Sequence, residues 1–317
     1  MNVPERQIEV ARLSIHPVKS MRGIDLGEAE LTPMGIRDIR SGLRDRQFMV
    51  IDGEGKMVTQ RTFPQMASLQ PSVLSGDRRL GLRSANFDMS GIGFPIAGDS
   101  GDDPERVRVM LHGKETEGIE VHGEINGWLN QFAGRVGSRI YGHGSKKGPL
   151  RLVRFPDDGE RVVDPDFLGE ENDYRTAFAD GWPFLVTAEE SVDDLTQRVR
   201  WAVEPRRFRP NIHLRGLDEA YREDAIKRLR FASNDAVLAM LKPCARCPVP
   251  NVDPGTGRVE RGKKPTIALK AYRKLVSGEV LFGQNAVLEG VDSVIVKVGD
   301  VLEIDEMKGP EEMPTFV

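Results

Sequence analysis

The sequence predicts an α+β, strand-rich fold in two domains, each built on barrel-like sheet. Three observations point there. At 317 residues the chain is long for a single hydrophobic core. Its apolar residues alternate in short runs broken by glycine and proline, which are spread along the whole length (33 Gly, 20 Pro), as many short strands and turns require. Few stretches carry helical periodicity, and neither a fixed-period repeat nor a strand–helix–strand alternation emerges. Barrel-like sheets are therefore favoured over βαβ units.

The opening QIEVARLSIHPVKS alternates Ile8, Val10, Leu13 and Ile15 and breaks at Pro17, which predicts a strand. AELTPMGIRD contains a Pro-Met-Gly turn. In RQFMVIDGEGKMVTQ, the runs Phe48 to Ile51 and Met57 to Thr59 flank an Asp-Gly-Glu-Gly turn and predict a hairpin. RRLGLRSANFDMSG and ERVRVMLHGKETEGIEVHG continue short β segments. The first helix falls in GEINGWLNQFAGRVG, where Ile125, Trp128, Leu129 and Phe132 recur at helical spacing and Gly134 suits the exit. The domain boundary is placed near 124–148, separating 1–130 from 131–317. DDGERVVDPDFLGEEND (157–173) reads as a polar surface loop. Beyond it, WPFLVT, FRPNIHLRG and AVLAMLK read as strands. AEESVDDLTQRVR reads as an amphipathic helix started by a serine cap at Ser191. YREDAIKRLRF is helical or turn-like. PTIALKAYRK, GEVLFGQNAVLEG and SVIVKVGDVLEI are expected as closing strands.

The net charge of −4 argues against a nucleic-acid partner, though it leaves local basic pockets open. No apolar run reaches membrane-spanning length, and the N-terminus has no signal segment, so a cytoplasmic protein without a membrane partner is expected. Two cysteines are too few for a disulfide scaffold.

Both cysteines, Cys244 and Cys247, sit in LKPCARCPVPNVDPGTGRV. A structural zinc site wants a second pair or partnered histidines, and His16, His112, His122, His143 and His213 show no such spacing. A thioredoxin-type dithiol opens a helix, which Pro248 and Pro250 forbid here. Two half-buried thiols in a core loop are the plain alternative. Against it stand the flanking Lys242 and Arg246, which favour thiolate, and prolines that fix the backbone beside Cys247. A thiolate is a soft ligand suited to a transition metal.

Isolated basic residues recur in strand–turn contexts: Lys19 with Ser20, Arg44 with Arg46, Gln60 with Arg61, and Arg206, Arg207 and Arg209 with Asn211. Arg209-Pro210-Asn211 precedes an apolar strand, and an inward arginine wants a planar anion. No glycine-rich nucleotide loop accompanies them. Asp180, in FADGWPFL, stands at the mouth of a strand, where a turn-forming aspartate is the plainer reading.

In chain order, HPVKSMRGI, GIRDIRSGLRDRQFMVIDGEGKMVTQR, FADGWPFLV, FRPNI, KPCARCPVPNVDPGTG and FGQNAVLEG…VKVGD resemble proteins with an N-terminal β-barrel domain followed by a MOSC (molybdenum cofactor sulfurase C-terminal) domain. Among these the mitochondrial amidoxime-reducing components and their bacterial counterparts are the functional relatives. The resemblance spans nearly the whole chain. It implies an N-terminal barrel domain, a MOSC barrel domain with a few helices, and a molybdenum–molybdopterin cofactor between them. By resemblance, Cys247 is the molybdenum ligand and Cys244 a nearby thiol. Asp180 is a catalytic residue beside the metal, and Gly181 lines the cofactor. Lys19, Ser20, Arg46, Arg209, Asn211, Ala245, Arg246 and Asn285 match positions that hold the pterin and its phosphate. The family also carries an association with pyridoxal phosphate binding. The implied activity is reduction of small N-hydroxylated or related N-oxygenated compounds. The implied partner is a separate electron-transfer protein carrying haem, flavin or iron–sulfur. A cofactor- or sulfur-carrying module without turnover, or a small-anion binder, are the rival expectations. The extra cysteines of some bacterial relatives and the membrane anchor of the mitochondrial ones have no counterpart. YGHGSKKG and the acidic loop 157–173 do not match obviously.

Overall fold

A computed structural model describes residues 7–74, 78–97, 105–163, 174–262 and 264–317. Part of the loop expected at 157–173, residues 164–173, lies outside the described residues.

In the first half, β1 (Ile8–Ile15) pairs with β2 (Ile24–Leu26). β3 (Glu28–Thr32) and β4 (Gly35–Arg37) form a hairpin at the Pro-Met-Gly turn, where Gly35 takes a φ of 115°. β5 (Phe48–Ile51) is buried at every position. β6 (Leu69–Leu74), β7 (Arg79–Ser84) and β8 (Ile92–Pro95) make a three-stranded sheet. β9 (Arg106–Leu111) and β10 (Lys114–Glu120) turn at His112-Gly113. They join β11 (Arg151–Arg154) and β5 in a sheet ordered β5-β11-β10-β9. α1 (Glu124–Arg135) buries Ile125, Trp128, Leu129 and Phe132 in a core shared with Phe48, Val50, Leu80 and Phe94. It runs through Gly134 and exits at Gly137, the glycine with left-handed φ, 69°.

The second half supplies β12 (Phe184–Ala188), α2 (Glu189–Val199), β13 (Ile212–Arg215), β14 (Ile226–Phe231), β15 (Val237–Ala245), α3 (Pro265–Lys270), β16 (Leu281–Glu289), β17 (Val294–Lys297) and β18 (Val301–Met307). Seven strands close a barrel in the order β13-β12-β16-β15-β14-β18-β1, with β1 pairing back onto β13. β2 hangs on β1, and β17 pairs with β3. Val10, Leu13, Val186, Ile212, Leu214, Leu229, Phe231, Leu238 and Met240 fill the barrel. Thus β1, from the N-terminal part of the sequence, closes a barrel whose other six strands come from the C-terminal half. The strand-rich α+β fold and the barrel are as the sequence predicts.

Three local expectations change. PTIALK is helical rather than strand: Pro265 sits in the first helical turn, where its missing N–H costs nothing, and Ala, Leu and Lys favour helix. The residue at the N-cap of α2 is Ala188, not Ser191. Ser191 lies inside the helix, and its hydroxyl donates to the buried Glu223 carboxylate at 2.8 Å. In YREDAIKRLRF only Arg222–Asp224 is a helical turn, and β14 follows.

The β1–β13 seam depends on close backbone approach at Gly216, whose φ is +90° and whose Cβ, if present, would lie 2.0 Å from the Gln7 carbonyl oxygen. Gly216→Ala is expected to open the end of the seam and cost about 2–3 kcal/mol, read as a lower urea midpoint at unchanged slope.

Candidate active site

Immediately after β1, the chain is pinned against β5: the Lys19 N–H donates to the Phe48 carbonyl at 2.8 Å. This turn puts Ser20 in a left-handed conformation, φ 68°, and carries the buried Lys19 ammonium inward. The ammonium donates to the Phe178 carbonyl at 2.9 Å and to the Asp180 carboxylate. Arg46, also left-handed at φ 48°, donates from its backbone to the His16 carbonyl at 2.8 Å. Its guanidinium binds the buried Asp45 carboxylate and reaches the Arg209 carbonyl at 3.3 Å. Arg209, φ 61°, donates to the Met21 carbonyl, while its buried Nη2 has no hydrogen-bond partner.

Asn211 sits where three barrel strands meet. Its Oδ1 accepts from the Leu185 N–H at 3.1 Å, and its Nδ2 donates to the Ser14 carbonyl at 3.3 Å. Both ends of the amide are therefore taken up by β12 and β1. Asn285, on β16, turns its half-buried side chain to the same space.

The cysteine segment leaves β15 at Ala245, and Val249–Asn251 forms a single helical turn behind Pro248. Both thiols are free and half-buried. The Arg246 guanidinium donates to Cys244 Sγ at 3.1 Å and to the Phe208 carbonyl at 2.9 Å. Of the two thiols it flanks in sequence, the cation thus contacts Cys244. The Arg246 Nε is buried without a partner.

These elements surround one cavity of about 120 Å³. It brings together Lys19, Ser20, Arg46, Asp180, Gly181 and Arg209 with Asn211, Arg246, Cys247 and Asn285, and Cys244 also lines it. Ala245 does not line it; it sits exposed at the strand end. Among the described residues, five basic side chains border the cavity (Lys19, Arg46, Arg61, Arg209, Arg246) against one carboxylate, Asp180. Like charges packed this way call for an anion. Among the described residues, no group of three or more His, Cys, Asp or Glu is placed to hold a metal.

Sequence reading missed His112, Thr59, Trp182 and Phe208 as lining residues, and it named Arg61 only among scattered cations. His112 occupies the tip of the β9–β10 turn with φ 51°, and its Nε2 lies 2.9 Å from Asp180 Oδ1. The His-Gly pair signalled a hairpin tip, but nothing local foretold its reach to Asp180, 68 positions away.

The Asp180 side chain is solvent-accessible; desolvation by the surrounding protein would raise its carboxyl, but Lys19 and His112 outweigh that and hold it well below the carboxylate range. Burial lowers Lys19, with Asp180 opposing. Burial, then the charge of Arg46, pulls Arg209 down to about 9. Burial and the charges of Arg46 and Arg209 push His16 down to about 3, against the opposing pull of Asp45. Asp45, despite burial, is held at about 2 by Arg46 and His16.

The sequence matches a known class. Residues 7–136 match the MOSC N-terminal beta barrel domain and residues 173–303 the MOSC domain, and the chain belongs to this family of MOSC-domain proteins. It is 35% identical over 303 residues to the human protein named mitochondrial amidoxime-reducing component 1, covering 92% of this chain and 81% of that one. To human mitochondrial amidoxime reducing component 2 it is 30% identical over 293 residues, covering 92% and 80%. The mouse component 1 is 32% identical over 302 residues, covering 92% and 80%. Among the described residues no helix is long and apolar enough to cross a membrane.

His16 sets an acid limit. Its folded value of about 3 lies below the ordinary 6.5, so the unfolded chain binds the extra proton between those values. Stability therefore falls as pH drops from about 6.5 toward 3, and Asp45 adds loss of the same sign between its ordinary 3.8 and about 2. Urea midpoints measured across this range should decline in the wild type and decline less between pH 6.5 and 4 in His16→Gln.

Proposed function

We propose that the cavity holds molybdenum–molybdopterin and that the protein reduces N-hydroxylated or related N-oxygenated compounds with electrons from a separate donor protein. One observation carries this reading. Two buried guanidinium nitrogens, Arg209 Nη2 and Arg246 Nε, lack partners in the cavity that also presents the Cys247 thiol. An unpaired buried donor is costly, and a ligand offering both anionic oxygens and a metal that accepts thiolate satisfies the two demands together. The relatives' names, amidoxime-reducing components, support the substrate class.

In this reading Cys247 is the protein's thiolate to molybdenum. Lys19, Arg46, Arg209 and Arg246 hold the phosphate and the dithiolene charge, with Ser20 and Asn285 as neutral donors. Asn211 fixes the strands that carry Leu185 and Ser14 rather than offering its own amide. Gly181 leaves open space beside the cofactor, and Ala245 acts through its place in the backbone before Arg246. When bound, the cofactor supplies two-electron exchange and accepts oxygen. Reducing an N–OH group consumes two electrons and two protons, breaks the N–O bond and releases water. Asp180, kept anionic by Lys19 and His112, accepts a hydrogen bond from the substrate or from that water and so orients it.

The test uses protein expressed in a host that makes the cofactor. Metal analysis with pterin fluorescence should find both molybdenum and pterin in the wild type. Cys247→Ser should lose molybdenum and amidoxime reduction, whereas Cys244→Ser should keep the metal. Metal-free wild type from such a host would sink the proposal, and equal behaviour of the two serine variants would restore a paired-thiol site. Transferable sulfur on Cys247 without turnover would favour a sulfur carrier instead.

A further inference from the structure

Reduction of an N–OH group consumes two protons at the cavity, and most of the described groups that border it have none to give. Arg46, Arg61, Arg209 and Arg246 are guanidinium groups, which keep their protons at neutral pH. Asp180 is held anionic by Lys19 and His112. The Lys19 ammonium is bound to the Phe178 carbonyl, at 2.9 Å, and to Asp180, and losing its proton would take from that carboxylate the cation that chiefly holds it. The two thiols serve the metal and the Arg246 guanidinium. Among the five histidines, burial holds His16 and His213 neutral, at about 3 and about 4, and His122 and His143 do not border the cavity. His112 does border it, and imidazole is the side chain that gains and loses a proton near neutral pH.

His112 and Gly113 are the two-residue tip that joins β9 to β10, between the paired Leu111 and Lys114. Both have left-handed φ, 51° and 78°. Asn-Gly or Asp-Gly is the usual choice for such a tip, so the histidine stands here against the preference of the turn. Its position is fixed from below. The Met110 N–H donates to the Gly55 carbonyl at 2.9 Å, and Leu111 packs in one buried cluster with Ala177 and Phe178. The segment that carries Asp180 is fixed as well: the Arg161 guanidinium donates to the carbonyls of Ala177, Ala179 and Asp180 at 2.8, 2.5 and 3.0 Å. Between these supports the two side chains meet, with His112 Nε2 2.9 Å from Asp180 Oδ1, the oxygen that also accepts from Lys19. Arg61 stands 3.7 Å from the other carboxylate oxygen. Asp180, Lys19, Arg61 and Arg161 are the charged groups that gather on the Asp180 side of His112. On the hairpin side Lys114 is exposed, Arg108 lies 3.6 Å from Glu115, and Lys56, bridged to Met110 through the backbone, is paired with Glu54 at 2.9 Å.

We propose that His112 is the catalytic acid of the reduction, its imidazolium giving a proton to the oxygen that leaves nitrogen. The proposal rests on the reductase reading above and adds a residue to it. An imidazolium has two N–H groups. The one on Nε2 is held by Asp180, which orients the ring and stabilises its charge, and the one on Nδ1 is given up. As the N–O bond breaks, two electrons from the reductant go to the nitrogen. The departing hydroxide takes the His112 proton and leaves as water, and the nitrogen takes the second proton from solvent. With 26% of its side chain accessible, the imidazole is then recharged from water.

The test uses the full-length, cofactor-loaded protein, reduced methyl viologen as donor and an aromatic amidoxime as substrate. His112→Gln keeps an N–H for Asp180 but has no proton to release. Its kcat should fall about a hundredfold, with KM, molybdenum and pterin content as in the wild type. Wild-type kcat should decline as pH rises, because the acid must be charged to act, and the variant should lack that decline. In His112→Ala, added imidazole should restore turnover. Guanidinium, which can bind Asp180 but releases no proton, should not. A further readout needs no turnover: nitrogen NMR of the unloaded protein should find the neutral His112 ring protonated on Nε2, and Asp180→Ala should abolish that preference. The proposal is overturned by wild-type kcat in His112→Gln, by equal rescue with both cations, by molybdenum lost along with activity in both variants, or by a neutral ring protonated on Nδ1. Wild type that holds the cofactor yet reduces no amidoxime sinks the reductase reading instead, whereas a failed acid leaves wild-type turnover intact.

Discussion

The amide of Asn211 is the joint on which the rest of the molecule is hung. One buried side chain satisfies a backbone N–H of β12 and a backbone carbonyl of β1, while its own backbone exchanges hydrogen bonds with Leu185 and Ser14. A closed barrel has no spare edge, and every buried backbone group at the closing point must find a partner. The parallel β12–β13 pair and the antiparallel β1–β13 pair both reach Ile212, and the amide of Asn211 continues the bonding one residue beyond it. The loops that leave this joint carry Lys19 and Ser20 in one direction and Arg209 in the other. The architecture therefore delivers the cavity's cations from distant parts of the sequence.

Among the described residues, four of the seven non-glycine residues with left-handed φ line that cavity: Ser20, Arg46, His112 and Arg209. Each such residue costs about 1–2 kcal/mol, and burying Arg46 and Arg209 side by side adds repulsion, visible in the lowered Arg209 and His16. Asp45 and Asp180 offset only part of it. The barrel and the core around α1 hold these residues in place against their own preferences, which is the pattern of a binding site organised in advance of its ligand.

What the sequence disclosed followed from periodicity and turn chemistry. Strand alternation in IEVARLSI, the helical stripe of α1 and the Asp-Gly turn after β5 are local, and they reappear in the structure. PTIALK misled because Thr and Ile suggest strand while Pro265 acts through its position. Ser191 misled because a serine followed by acids reads as a cap, whereas this one serves a buried carboxylate from 32 positions away. The cavity residues carried by the MOSC resemblance were legible as motifs, and all but Ala245 border one space. His112 was not legible, because its contact with Asp180 depends on how a hairpin tip from the first half folds over the second. The Arg246–Cys244 contact was likewise hidden: adjacency in sequence placed the cation beside both sulfurs, and only the strand geometry chooses between them.

The place of β1 also bears on when the site can come into being. It lies near residue 10, and apart from the nearby β2 its partners are β13, at 212–215, and β18, at 301–307. Pairings this distant in sequence form late and fold slowly. A nascent chain still missing β16 lacks Asn285, and one missing β18 has an open barrel, with Ile8 and Glu9 of β1 unpaired on that edge. The cavity is thus assembled only once strands from both ends of the described sequence have paired.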